Sequence, residues 1–351
     1  MRPLLRIATG AVALIAVAGL ASAAPLAWLD DPAPAAMPAA TADRPTLLYF
    51  TAPWCVPCRL LAREVFDHAA GQAELRHYDL VRYDLEHHHG RAMADSLRIA
   101  TVPTFVMLGP GGEIDRVRGY RSRRLLLRDL GRFRAGDGTI GDLERRLRAS
   151  PGDPALQAAL GLRRYERLDL AGAEAMLTAG LRDPALLPDT LAADAGRALA
   201  EIHRREDDPA AAAAVLERLL ERRPTHPYPR VTWQLLADCR AATGDDTARL
   251  AALREAAFTE PVRVDPLVDF AREAVTGADL LGDAERAGRL AVAMTERADA
   301  EAMAVLASVL RRRREYPEAM LWIKRAVAAA PDDAALRRQR EEIIHAAIRG
   351  D

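Results

Sequence analysis

Tyr49–Leu61 reads YFTAPWCVPCRLL, and the role of its two cysteines decides what the first third of the chain is. A Cys-x-x-Cys pair can clamp a metal, close a staple or exchange disulfides, and its surroundings choose among these. Before it, TLLYFT (Thr46–Thr51) is a short apolar run of β-formers, the pattern of a buried strand. After Pro57, the residues Leu60, Leu61, Val65 and Phe66 recur at helical spacing. The pair therefore sits at a strand-to-helix turn. A zinc site needs two further ligands at suitable spacing. EHHHG, with His87–His89, is accompanied by no second C-x-x-C or H-x-x-H, so it reads as a solvated insertion with adventitious metal affinity. No metal and no cofactor are expected.

Downstream, HYDLVRYDL (His77–Leu85) reads as a second strand and RAMADSLRI as a short helix. TFVML then reads as a strand, GPGG as a tight turn and EIDRVRG as the returning hairpin strand, after which Ser122 can cap a helix through Leu130 to Phe133. This β-α-β-α-β-β-α order, with WCVPC opening the first helix, TVPT (Thr101–Thr104) before the next strand and Gly119 closing the hairpin, resembles the thioredoxin family. The resemblance covers roughly residues 44–136. FTAPWCVPCRLLAREVF looks most like periplasmic thioredoxin-like modules, including the C-terminal domain of envelope transmembrane electron carriers. WCVPC also occurs in thioredoxin-like proteins of cytochrome c maturation, but those carry an insertion for which the 47 residues between Cys55 and Pro103 leave little room.

The resemblance and the local chemistry together assign the site. A cysteine attacks a disulfide as thiolate, and a helix N-terminus, with its orphan N–H groups and dipole, stabilises that anion. Cys55 holds this position and, exposed as the first cysteine is in this fold, is the expected nucleophile. Cys58, one turn later and beneath it, resolves the mixed disulfide. Pro57 suits the first helical turn, where an N–H would be unpaired. Trp54 shields the pair and offers an apolar contact to an incoming disulfide. Pro103 answers to the family's cis-proline facing the cysteines, and the turn leaves the Val102 backbone free to pair with an extended substrate segment. One departure stands out. Six residues before the first cysteine, where thioredoxins carry a buried aspartate that moves a proton to or from the second thiol, this chain has Tyr49. Proton transfer must then use water or another carboxylate. Asp84 and Glu86, at the end of the second expected strand, are candidates but read rather as a solvated strand end, while the family geometry leaves EHHHG on the far loop.

The whole chain has 351 residues, 50% of them hydrophobic, enough for two or three folded domains. Net charge is −1 and Lys324 is the single lysine, so charge indicates no nucleic-acid partner and no acidic substrate. Arg2 and Arg6 lead into an apolar run, Ile7–Leu20, followed by ASAAP, a small-x-small cleavage pattern. Residues 1–23 are read as a secretory signal peptide, with an uncleaved membrane anchor as the alternative, and the mature chain as periplasmic or otherwise extracytoplasmic. Residues 24–43, DDPAPAAMPAATADRP with its flanks, lack any period and are read as an extended linker. Three cysteines are too few for a stapled scaffold. Cys239, after a Leu-Leu-Ala helical stretch, is read as core.

From residue 137 to 351 the composition turns to Ala, Leu, Arg and Glu, with Gly-Asp or Asp-Pro turns and no strand-like run. MAVLASVLRRRREYPEAMLWIKRAVAAAP (Met303–Pro331) fits the tetratricopeptide pattern. WQLLADCRAATGD (Trp233–Asp245), Leu199–Pro224, Leu160–Gly180 and a weaker unit around Ala271–Met294 add further members. Four or five degenerate helical pairs are expected, closed by a capping helix in DDAALRRQREEIIHAAIRG, with Trp233 and Trp322 as core positions. The expected architecture is an α/β thioredoxin fold followed by an all-α, tetratricopeptide-like solenoid.

The function expected on these grounds is an exported thiol–disulfide oxidoreductase of protein-disulfide reductase type. It acts on protein substrates carrying disulfides or thiols, draws on an upstream redox partner and holds a protein partner on the repeats. The alternatives are a redox-linked chaperone or adaptor, and an assembly factor in cytochrome c maturation that handles the apoprotein, since no haem-binding C-x-x-C-H is present.

Overall fold

The computed structural model describes residues 25–350, so the expected signal segment, residues 1–23, lies outside them. Backbone proximity divides the chain into two units, Met1–Glu113 with Val117–Arg134, and Ile114–Arg116 with Ala135–Asp351.

The first unit is built on a mixed sheet ordered β1-β3-β2-β4-β5. Its strands are β1 (Trp28–Asp30), β2 (Thr46–Thr51), β3 (Asp79–Asp84), β4 (Thr104–Gly109) and β5 (Gly112–Arg118). β1 and β2 run parallel to β3, and β4 runs antiparallel to β2. Central β2 is buried at every position except Thr51. Leu48 and Phe50 pack with Val81, Tyr83, Met93 and Val106. Tyr49, pointing to the opposite face, stacks on Phe105 with centroids 4.8 Å apart and meets Phe66 edge-on at 5.1 Å. A strand covered on both faces has no polar side to alternate, which is why TLLYFT reads as a continuous apolar run. The helices are α1 (Val56–Leu61), prolonged by a π turn at Ala62–Phe66, α2 (Ala69–Leu75), α3 (His88–Ser96) and α4 (Arg123–Arg134). This is the thioredoxin fold.

The tract read as a linker differs from that expectation. Trp28 pairs with Leu80, Leu29 with Val81 and Asp30 with Arg82, making residues 28–30 a sheet strand. The Trp28 ring lies 5.1 Å from Phe66 and 5.8 Å from Tyr49, and Arg82 donates to both Asp30 carboxylate oxygens at 2.8 Å. Three residues are too few to show a period, and their partners lie about fifty positions away, so no local signal marks them.

The second unit is helical. After α5 (Ile140–Ala149) come five antiparallel pairs: α6 (Pro154–Glu166) with α7 (Leu170–Gly180), α8 (Asp189–Arg205) with α9 (Pro209–Arg222), α10 (Pro229–Ala242) with α11 (Asp246–Phe258), α12 (Val264–Ala274) with α13 (Leu281–Met294), and α14 (Ala300–Arg312) with α15 (Tyr316–Ala329). α16 (Ala334–Arg349) packs on α15 as the closing helix. The aspartates at the turns have a definite use: Asp153, Asp169, Asp208, Asp245, Asp299 and Asp333 each accept backbone N–H groups as N-caps. The turn inside four pairs carries a left-handed residue: Leu168, Asp207, Gly244 and Arg314. Small residues set the spacing. A Cβ on Gly180 of α7 would stand 2.7 Å from the Ala158 nitrogen and 2.8 Å from the Pro154 oxygen of α6. The result is a tetratricopeptide-like run of stacked pairs.

Candidate active site

β2 ends at Thr51, the chain turns through Ala52–Trp54, and the Cys55 N–H donates to the Ala52 oxygen at 3.1 Å. Cys55 is the N-cap of α1, and its Sγ accepts the Cys58 N–H at 3.1 Å. Cys55 and Cys58 form a disulfide with an S–S distance of 2.02 Å. Cys55, expected to be exposed, is only 2% so. In the closed disulfide its sulfur faces Cys58 and the first turn of α1. Exposure falls instead on its neighbours Trp54 (63%) and Val56 (64%), which form an apolar rim.

Glu86, read as part of a solvated strand end, is tied to that rim: Trp54 Nε1 donates to Glu86 Oε1 at 2.9 Å. The Val102–Pro103 peptide is cis. Phe50 pairs with Thr104, so the strand register carries Val102 and Pro103 to the same end of the sheet as the cysteine turn. There the Pro103 oxygen accepts the Gly119 N–H at 2.8 Å, Pro103 is buried and Val102 half-buried. The parallel register Thr51 to Asp84 brings the end of β3 to the same place.

Behind the pair lies a cavity of about 450 Å³ lined by Cys58, Tyr49, Asp31, Arg82, Asp84 and His87 among others. Tyr49 stands where the resembled family has its carboxylate. Its hydroxyl donates to Thr51 Oγ1 at 3.4 Å, and burial pushes its pKa up, so it remains protonated. The histidine run is not a remote solvated insertion. His87 Nδ1 is 2.6 Å from Asp31 Oδ2, His89 Nδ1 is 3.0 Å from the Asp31 carbonyl oxygen, and α3 starts at His88. Asp31 Oδ1 also accepts the Asp84 N–H at 2.9 Å. The Asp31 carboxylate raises the pKa of His87, with a smaller contribution from Asp84. Sequence reasoning missed this constellation because Asp31 arrives on the segment taken as linker.

In the second unit Cys239 is a free, fully buried thiol whose pKa is raised by burial. Trp322 is buried, whereas Trp233, expected in the core, is half-buried and lines a groove. Glu174, His203 and Glu206 offer ligand atoms within 4.8 Å of one another, the spacing of a cation site, with no cysteine among them.

A β1-β3-β2-β4-β5 sheet carrying a Cys-x-x-Cys disulfide at the start of α1, with a cis-proline at the same sheet end, defines a thioredoxin-type thiol–disulfide exchange domain. Residues 35–132 match the family model described as a thioredoxin-like domain, so this chain carries such a domain, followed by the tetratricopeptide-like helices. The chain is similar to thiol:disulfide interchange protein DsbD 1 of Pseudomonas aeruginosa, 30% identical over 93 residues, 24% of this chain and 16% of that protein. It is similar to thioredoxin of Mycolicibacterium smegmatis, 26% identical over 88 residues, 25% of this chain and 77% of that protein. It is also similar to the TPR repeat-containing thioredoxin TDX of Arabidopsis thaliana, 36% identical over 78 residues, 22% of this chain and 19% of that protein. The chain thus spans less than a fifth of two of these relatives.

Proposed function

We propose that the protein is an exported thiol–disulfide oxidoreductase of protein-disulfide reductase type, acting outside the cytoplasm, with its helical repeats holding a protein partner. The observation that carries this reading is the Cys55–Cys58 disulfide within an apolar rim of Trp54 and Val56. When the pair is reduced, the Cys58 N–H beside Cys55 Sγ favours the thiolate there. Cys55 attacks a substrate disulfide, and Cys58 then displaces the substrate as thiol and closes the pair again. Val102, ahead of the cis-proline, offers its backbone to an extended substrate segment. An upstream redox partner returns two electrons to the oxidised pair.

For the repeats, a groove of about 570 Å³ lined by Trp233, Leu236, Leu250, Leu280, Glu217 and Arg240 supports a protein partner. Its lining joins apolar side chains with the charged Glu217, Arg240, Arg254 and Glu255. The Pseudomonas relative, a thiol:disulfide interchange protein by name, supports thiol–disulfide exchange chemistry. The apolar first residues, with their small-x-small ending, support export.

The test is the reduction potential of the Cys55/Cys58 couple, measured by equilibration against glutathione buffers with thiol trapping. Members of the fold run from about −270 to −120 mV. A value near the reducing end supports the reductase. A value near the oxidising end makes the protein a disulfide donor, and a pair that never cycles leaves a partner-binding chaperone as the reading.

A further inference from the structure

Reduction of a substrate by this domain requires Cys58 to lose a proton while 4% exposed, and the tyrosine standing in for the family's carboxylate cannot take it. The cavity beside Cys58 holds several ionisable groups, most of them already engaged. Asp30 is bound at both oxygens by Arg82. Arg59 donates to the Pro53 oxygen at 2.8 Å, and Asp84 Oδ1 accepts the Glu86 N–H at 2.9 Å. His87 is different. With a carboxylate oxygen 2.6 Å from Nδ1, the proton of the neutral ring sits on Nδ1, which leaves Nε2 as an acceptor. The side chain lines the cavity yet is 63% exposed, so it has access to both Cys58's surroundings and bulk solvent. At roughly 30 Å³ per water molecule the cavity has room for a connecting chain of water.

We propose that His87, oriented by Asp31, takes up the proton that Cys58 releases, through water in the cavity. The proposal rests on the oxidoreductase reading above. In the step concerned, substrate is linked to Cys55 as a mixed disulfide. The Cys58 thiol passes its proton through water to Nε2 of His87, and the resulting thiolate attacks Cys55 Sγ. The Cys55–Cys58 bond forms, the Cys55–substrate bond breaks, and the bonding pair leaves on the substrate sulfur, which collects a proton. Two electrons have passed from the dithiol to the substrate disulfide. The imidazolium returns its proton to solvent, and the reverse transfer serves re-reduction of the pair. Asp31 is a positioning residue. Its carboxylate and that of Asp84 raise the His87 pKa, Arg91 on α3 lowers it, and Asp30, Arg82 and Arg59 complete the charges around the cavity.

The experiment follows the reduced full-length protein reacting with 5,5′-dithiobis(2-nitrobenzoic acid) between pH 5.5 and 9.5 by stopped flow. The first equivalent of thionitrobenzoate reports attack by Cys55, and the second reports resolution by Cys58. His87→Gln is expected to slow the second phase about tenfold near neutral pH, a modest share of what general acid–base catalysis supplies, while leaving the first phase within about twofold. Added imidazole is expected to restore the second phase. In Asp31→Asn the inflection of that phase moves to lower pH, a change that a merely structural role would not produce. Second phases of wild type and His87→Gln that superimpose across the range overturn the proposal and leave the oxidoreductase reading standing. A wild-type protein that releases no second equivalent overturns both.

Discussion

The indole Nε1 of Trp54 donates to Oε1 of Glu86 at 2.9 Å, joining the residue before Cys55 to the turn that follows β3, 32 positions away. The bond fixes a ring that is 63% exposed and sets the shape of the apolar rim beside Cys55. Glu86→Ala frees the indole, whereas Glu86→Gln keeps an acceptor oxygen. An exposed hydrogen bond contributes about 1 kcal/mol. The alanine variant is therefore expected to raise KM for a protein disulfide three- to fivefold, on the order expected from that energy at unchanged kcat. The glutamine variant should stay near wild type in the same insulin-reduction assay.

Cys55→Ser removes the attacking sulfur and is expected to abolish disulfide reduction. Cys58→Ser retains the attack but not the resolution, so it should accumulate a mixed disulfide through Cys55. Non-reducing gels and mass spectrometry of the trapped species distinguish the two, and adducts on Cys55→Ser through Cys58 would reverse the assignment of roles.

Gly180 lies where α7 crosses α6, and an added methyl would meet backbone atoms rather than a side chain able to turn away. Gly180→Ala is expected to cost about 2 kcal/mol, the usual scale of overpacking. Denaturant unfolding followed by helical circular dichroism measures this. The chain has two units, so the comparison is made on the transition of the helical unit.

His226, in the loop between α9 and α10, is 1% exposed, and its Nδ1 accepts the Tyr228 N–H at 3.2 Å. Its Nε2 has no hydrogen-bond partner among the described residues. Burial, followed by Arg197, lowers its pKa below the usual 6.5, against a smaller raising effect of Asp189. Below about pH 6.5 the unfolded chain therefore binds the proton more readily than the folded one. The stability contributed by neutral His226 is complete above that pH and is lost as pH falls through the window below it. The urea midpoint of the helical unit should drop between pH 7.5 and 5.5, and by less in His226→Gln. Equal drops in both proteins would rule out His226 as the cause.

How far the sequence could be read follows from the distance over which each signal acts. TLLYFT, the C-x-x-C turn and TVPT are local patterns, and each stands in the structure as strand, helix start and cis-proline turn. The helical pairs were legible because a 3.6-residue period and aspartate N-caps act within one or two turns, so even the weak unit around Ala271–Met294 became α12 and α13. Trp233 packs against the cluster of Leu236, Ala237 and Cys239 yet stays only half-buried, because helical spacing places a residue on a face without saying how fully a neighbour covers it.

By itself the sequence determined the thioredoxin-like start, the two cysteines and the repeated helix pairs, because backbone sterics, capping and apolar periodicity operate among near neighbours. Only the tertiary structure decided that Trp28–Asp30 is a strand, that Glu86 holds Trp54, and that Asp31 meets His87 in the cavity behind Cys58. Those relationships join residues 32 to 56 positions apart, and they arise when β1 and β2 pair with β3, bringing together polar groups that separately look like ordinary solvated residues.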